Sequence, residues 1–124
     1  MVLIAHLADT HLGYRQYNLA EREEDFYETF EKTIDSIIEN KVELVLHSGD
    51  LFEQRRPKVR ALFNAQRQLK RLQDNGITVV CIPGNHDYRT SGNTIPPQAL
   101  FSNDKVKVLG GNNDHYIYKD IFVG

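Results

Sequence analysis

Three short polar clusters in this chain each follow an apolar run, and their residue types are those of a metal site. They read Asp9-Thr10-His11, Gly49-Asp50 and Gly84-Asn85-His86-Asp87. Together they offer carboxylates, an amide oxygen and imidazoles without a thiolate, a donor set that suits manganese, iron or zinc. A single Asp or Asn after a strand is commonly a turn residue or a helix cap, so only the combination indicates chemistry.

The elements that must position these clusters follow from the hydrophobic pattern. Apolar runs at residues 2–8, 43–47 and 77–82 predict strands covered on both faces. Apolar residues at helical spacing predict one helix over roughly residues 21–40 and a second between Pro57 and Asn75-Gly76. The resulting β-α-β-α-β order predicts a parallel sheet, with the three clusters gathered at the edge formed by its strand ends.

After residue 87 the pattern is weaker but still periodic. It predicts a short helix and three short strands, at residues 98–102, 106–109, 115–118 and 121–123. The chain stops inside an apolar, strand-like run, so we expect residues 1–124 to be the N-terminal part of a domain truncated at its C-terminal end.

Composition excludes several classes of protein. The 124 residues suffice for one domain, and a 40% hydrophobic content with a net charge of −2 argues against disorder. The single cysteine, Cys81, excludes a disulfide framework and a four-thiolate site. Apolar runs too short to span a bilayer and a start without a basic region predict a soluble intracellular protein without membrane contact.

Charge is segregated along the chain. Residues 21–43 contain nine acids and three bases, whereas residues 54–73 contain seven bases and no acid. Two interpretations are open: the basic stretch attracts nucleic-acid phosphates, or the two stretches are solvated helix faces of opposite sign.

The spacing of the clusters suggests a role for each side chain. Asp50, in the central cluster, is placed to bridge two ions held roughly 3.5–4 Å apart. Asp9 and His11 reach the first ion, and Asn85 offers a neutral oxygen to the second. His86 is then expected to face the substrate as a proton donor or charge stabiliser.

The motifs Asp-x-His, Gly-Asp and Gly-Asn-His-Asp resemble those of the calcineurin-like metallophosphoesterase superfamily. The segments from His6 to Tyr14 and from His47 to Phe52, followed by Arg56-Pro57, are more specific and resemble the Mre/SbcD-type DNA double-strand-break repair nucleases. The resemblance implies an α/β metallophosphoesterase sandwich with a mixed, mostly parallel sheet. It also implies a DNA exo- and endonuclease with two Mn²⁺ per complete site, partnered by a Rad/SbcC-type coiled-coil ABC ATPase. It assigns metal ligation to Asp9, His11, Asp50 and Asn85, and proton donation to His86.

Two departures from the family pattern affect these expectations. The family adds three further histidines to its metal pair, some in a Gly-His-x-His motif, and the 124 residues do not contain that motif. We therefore expect this chain alone to bind metal poorly and not to cut DNA. Glu53 stands where the phosphatases usually carry an Asp that pairs with the histidine of Gly-Asn-His. Glu53 either orients His86 in the same way or is a solvated loop residue.

Further candidates are weaker, and rival functions stay open. Candidates for DNA phosphate contact, or else solvated loop arginines, are Arg15, Arg55 and Arg56. The family dimerises through helices near the second predicted helix, so candidates for a dimer interface are Leu62, Phe63, Leu100 and Phe101. His6 and His47 are predicted to be buried and hydrogen-bonded. The rival functions are another binuclear phosphoesterase or phosphatase, and a non-catalytic dimerisation or DNA-docking module.

Overall fold

The computed structural model describes residues 2–54, 56–83, 100–109 and 115–124. Four strands form one parallel sheet in the order β1-β2-β3-β4, namely β1 (Ile4–Leu7), β2 (Leu44–His47), β3 (Thr78–Cys81) and β4 (Val106–Val108). Helix α1 (Ala20–Glu39) joins β1 to β2, and helix α2 (Val59–Asp74) joins β2 to β3. An antiparallel hairpin of β5 (Tyr116–Tyr118) and β6 (Ile121–Val123) follows.

The first three strands are aligned so that they end at one level. Leu7 pairs with His47, and His47 pairs with Cys81. Because parallel strands in this register finish together, the loops that follow β1 and β2 leave the sheet side by side. This register is what places the first two polar clusters next to each other.

The core lies between the sheet and the two helices. Helix α1 contributes a buried stripe at i, i+3, i+7 and i+10 spacing, formed by Tyr27, Phe30, Ile34 and Ile37. Helix α2 contributes Ala61, Ala65, Leu69 and Leu72, which are buried in the same cluster. Small residues at two of these positions let α2 approach the sheet and the loops closely.

The second face of the sheet packs against the hairpin. Leu44, Val80 and Leu109 are buried there, with side chains of β5 and β6 against them. The fold is therefore of the α/β class as predicted, with a parallel sheet, and among the described residues antiparallel pairing occurs in the hairpin alone.

Strand β1 differs from its prediction. Ile4 is 39% exposed and His6 is also exposed, so this strand is not covered on both faces. The reason is position: β1 lies at one end of the described sheet, whereas β2 and β3 are flanked by neighbours. The expectation that His6 is buried is wrong, although its Nε2 contacts the Ser48 hydroxyl.

The two charged stretches of the sequence face one another. Ion pairs join α2 to α1 at Arg60–Glu24, Arg67–Glu31 and Arg71–Asp35. Partners in the last of these pairs are 36 residues apart, and the residue numbers give the other two the same offset. A constant offset means that the helices run parallel and in register. The segregated charge thus largely forms a ladder of ion pairs between the two helices.

Within the described part of the chain, neither helix is long and apolar enough to cross a membrane.

Candidate metal centre

The loops after β1 and β2 continue beside each other beyond the ends of their strands. The backbone hydrogen bonds that join them include those from the amides of Asp9, His11 and Leu12 to the carbonyl oxygens of Gly49, Asp50 and Leu51, at 3.1, 2.9 and 2.8 Å. Because these bonds fix the register of one loop on the other, they hold the residues of the first two polar clusters together.

Buried side chains anchor both loops in the core. Leu12 and Phe52 are 1% and 0% exposed, and they form a parallel bridge between the two loops. Gly13 follows at a φ of +94°, a conformation that favours glycine, and a β-carbon there would lie 3.3 Å from the β-carbon of Ala61. The first loop therefore lies directly against α2.

Three of the predicted ligands meet at this edge of the sheet. Asp9, His11 and Asp50 each offer one donor atom, and these atoms all lie within 4.8 Å of one another. The Nε2 atom of His11 is 3.8 Å from Oδ1 of Asp9. Carboxylate oxygens and an imidazole nitrogen at this spacing fit a divalent transition metal ion. Asn85, His86 and Arg55 lie outside the described residues, so their predicted roles stay predictions.

The same three residues share an unusual backbone conformation. Their φ angles are +56° at Asp9, +44° at His11 and +56° at Asp50. Left-handed backbone is uncommon for residues with a β-carbon, and Asp and His adopt it more readily than most. Each such residue costs on the order of 1 kcal/mol or more, and this strain concentrates at functional sites.

His47, at the end of β2, connects the loops through its ring. The Thr10 hydroxyl donates its one hydrogen to the Leu51 carbonyl at 3.1 Å, so it accepts from Nε2 of His47, also at 3.1 Å. The Gly49 amide donates to Nδ1 of the same ring at 3.3 Å. His47 is 5% exposed, and these contacts match a ring that carries its proton on Nε2. The prediction of a buried, hydrogen-bonded histidine is confirmed here.

Glu53 contacts the first candidate ligand. Its Oε2 atom lies 2.8 Å from Nδ1 of His11, although the alignment falls short of hydrogen-bond geometry. The two side chains are only 26% and 25% exposed. Glu53 is thus not a freely solvated loop residue, and the expected contact with His86 involves a residue outside the described ranges.

A buried carboxylate beside the loops was not anticipated from the sequence. Glu23 is 1% exposed and accepts hydrogen bonds from the Tyr27 hydroxyl, Arg15 and Lys58 at 2.9, 3.3 and 3.1 Å. Burial by itself raises the pKa of Glu23, but the hydrogen bonds from Tyr27 and Lys58 outweigh it, so the pKa falls below its ordinary value. The signal in the sequence was a glutamate four residues before Tyr27, on the buried stripe of α1.

The arginines and the proposed interface residues divide between core and surface. Arg15 is 39% exposed and pairs with Glu23, while Arg56 is exposed. Phe63 and Leu100 are 59% and 71% exposed. Leu62 and Phe101 are partly buried and pack against the main core. The dimer interface predicted from these four side chains stays a prediction.

The sequence of this chain is similar to the sequences of known proteins. The family described as Calcineurin-like phosphoesterase matches residues 2–123. The chain is 43% identical over 122 residues to DNA double-strand break repair protein Mre11 of Methanococcus maripaludis, covering 96% of this chain and 33% of that protein. It is 46% identical over 112 residues to Mre11 of Methanocaldococcus jannaschii, covering 90% and 30%.

The similarity extends to a third archaeal protein, Mre11 of Saccharolobus solfataricus, at 44% identity over 124 residues, with 99% of this chain and 32% of that protein covered. The chain spans about a third of the length of these relatives. The resemblance to the Mre/SbcD-type proteins is thereby confirmed, and the chain belongs to the calcineurin-like phosphoesterase family.

Proposed function

We propose that this chain is part of a manganese-dependent DNA exo- and endonuclease of double-strand-break repair. The observation that carries the proposal is the convergence of Asp9, His11 and Asp50 within 4.8 Å at the end of a parallel sheet. Relatives named as DNA double-strand break repair proteins support the choice of DNA over other phosphodiesters. The coarser activity, hydrolysis of a phosphoester, follows from the family.

The residues divide the chemistry among them. Asp9 and His11 would hold one Mn²⁺ and Asn85 would offer an oxygen to a second, while Asp50, in the loop after β2, would be the carboxylate shared by both ions. When bound, a divalent metal pair supplies Lewis acidity and a nucleophilic water at neutral pH. His86 donates a proton to the oxygen that leaves phosphorus, so that cleavage does not release an unprotonated alkoxide.

The partners follow from the same proposal. DNA phosphates bind near the metal loops, where Arg15 and Arg56 contribute positive charge. The protein acts inside the cell, cytoplasmic or nucleoid-associated, with a Rad/SbcC-type coiled-coil ABC ATPase. It forms a homodimer through the exposed apolar side chains of Phe63 on α2 and Leu100.

The decisive experiment removes the bridging carboxylate from the full-length protein. Asp50→Ala is expected to abolish binding of both Mn²⁺ ions in calorimetry and to abolish cleavage of double-stranded DNA. Asp9→Ala is expected to weaken chiefly the first ion. Asp120→Ala, at the exposed turn of the β5–β6 hairpin, is the control and should do neither.

Two outcomes would overturn the proposal. Loss of a single ion in Asp50→Ala would refute the bridging role. An unmodified protein that hydrolyses phosphate monoesters, but leaves DNA intact in Mn²⁺, would instead indicate a phosphatase.

A further inference from the structure

We propose that Glu53 is a positioning residue that fixes the tautomer of His11, so that the lone pair of the ring is on Nε2 and is offered to the metal from there. The inference rests on the proposed metal centre and adds to it a residue that itself binds no ion. Glu53, which stands where the phosphatases usually carry an Asp, would thus act on His11 in the first polar cluster.

The two nitrogens of the His11 ring face different carboxylates. Nδ1 lies 2.8 Å from Oε2 of Glu53, and Nε2 lies 3.8 Å from Oδ1 of Asp9. A neutral imidazole carries its proton on one nitrogen only, and an ionised carboxylate can accept a hydrogen bond but not donate one. The negative charge of the closer carboxylate attracts the ring proton and so favours it on Nδ1, although the two groups are not aligned as a hydrogen bond. The lone pair of the ring is then on Nε2, the nitrogen that lies 3.8 Å from Oδ1 of Asp9.

The backbone keeps Glu53 in place for this role. Its amide donates at 3.1 Å to the carbonyl of Leu12, the residue that follows His11. The preceding Phe52 is fully buried and bridged to Leu12. Because both neighbours of this contact are anchored in the core, the carboxylate and the ring are held together before any ion arrives.

The geometry separates Glu53 from the ligands themselves. Among the described residues, the acidic and histidine side chains grouped within 4.8 Å are those of Asp9, His11 and Asp50, and Glu53 is not one of that group. A carboxylate behind a metal-binding histidine orients the ring and raises its basicity, and its loss typically costs about 10–100-fold in metal affinity.

Two substitutions separate the charge of Glu53 from its acceptor oxygen. Glu53→Gln keeps an acceptor of the same length, whereas Glu53→Met removes it with little change in side-chain length. We expect the Kd of the full-length protein for Mn²⁺ to rise by a few fold in Glu53→Gln and by about 10–100-fold in Glu53→Met. Glu28→Met, on the exposed side of α1, is the matched control and should leave the Kd unchanged.

A second measurement needs no metal. In metal-free protein labelled with ¹⁵N-histidine, the His11 ring, identified through a His11→Gln variant, should show a protonated Nδ1 and an unprotonated Nε2. Glu53→Met should shift the ring toward a mixture of tautomers, while circular dichroism shows the fold intact. This spectrum tests the contact even if the unmodified protein binds no Mn²⁺, an outcome that would refute the proposed function instead.

Two results would overturn the inference. An unchanged tautomer in Glu53→Met, with weakened Mn²⁺ binding, would make Glu53 a direct ligand. Unchanged Mn²⁺ affinity in both variants would leave Glu53 without a role at the centre.

Discussion

The ammonium group of Lys58 lies 3.1 Å from the buried carboxylate of Glu23. Lys58 immediately precedes α2 and Glu23 lies in the first turn of α1, so this contact fastens the starts of two parallel helices together. Arg15, which follows the candidate ligands in the loop after β1, donates a hydrogen bond to the same carboxylate. One buried charge thus joins both helices to the segment that leads away from the candidate site.

Removing the charge of Glu23 should destabilise the fold. Glu23→Gln weakens three hydrogen bonds to a carboxylate that is 1% exposed, and we expect a loss of about 1–3 kcal/mol in the free energy of unfolding. Urea denaturation followed by circular dichroism measures it. Glu21→Gln, two residues earlier and exposed, is the control, and an equal effect in both variants would contradict the prediction.

The same residue predicts a pH dependence. Burial acts to raise the pKa of Glu23, but hydrogen bonds from Tyr27 and Lys58 dominate and lower it below 4.5. The unfolded chain therefore binds this proton more tightly, so the stabilisation is present above pH 4.5 and is lost as the pH falls through the folded-state pKa. The stability difference between unmodified protein and Glu23→Gln should shrink as the pH is lowered through 4.5 and further. A constant difference would refute this assignment.

The interhelical ladder should contribute modestly. Arg71 and Asp35 approach to 2.5 Å but are 35% and 52% exposed, so solvent screens the pair. A double-mutant cycle with Asp35→Asn and Arg71→Gln is expected to give a coupling energy of about 0.2–1 kcal/mol. The coupling should decrease in high salt. The Arg22–Asp25 pair within α1 provides a comparison that does not cross between helices.

The surface of α2 allows a sharp test of the proposed dimer. Phe63→Asp combined with Leu100→Asp should yield a folded monomer in sedimentation equilibrium, because both side chains are exposed. Leu62 is only partly buried against the core, so Leu62→Asp is expected to destabilise the fold as well as to remove an apolar side chain from the surface of α2. A dimer that survives the double substitution would place the interface elsewhere.

The proposed proton donor can be separated from the ligands. In the full-length protein, His86→Ser should abolish DNA cleavage while the Mn²⁺ content stays near that of the unmodified protein. Elemental analysis of the purified variant measures the metal content. If the metal is lost with the activity, His86 is a ligand and not a proton donor.

Much of this fold is predictable because its signals are local. The apolar runs and helical periodicities predict α1, α2, β2 and β3 to within a few residues. The polar clusters after the first two strands predict which side chains meet, since parallel strands in register must end at one edge. That rule alone is enough to predict that Asp9, His11 and Asp50 lie close together.

What escaped prediction depends on contacts between distant segments. The exposure of His6 depends on which neighbours β1 has, and an apolar run does not encode that. The burial of Glu23 depends on Lys58, 35 residues away. The opposite charges of the two helices were visible, but their mutual pairing required the parallel packing to be known.

Because Asp9, His11 and Asp50 have left-handed backbone, the residues proposed to bind metal also lower the stability of the fold. Glycine at any of these positions would relieve the conformational cost, by on the order of 1 kcal/mol, while deleting a ligand. A selection for heat resistance alone is therefore expected to replace the proposed metal ligands early. Variants recovered from such a selection, sequenced at these three positions, would record the conflict directly, and selection for cleavage in parallel would keep all three residues.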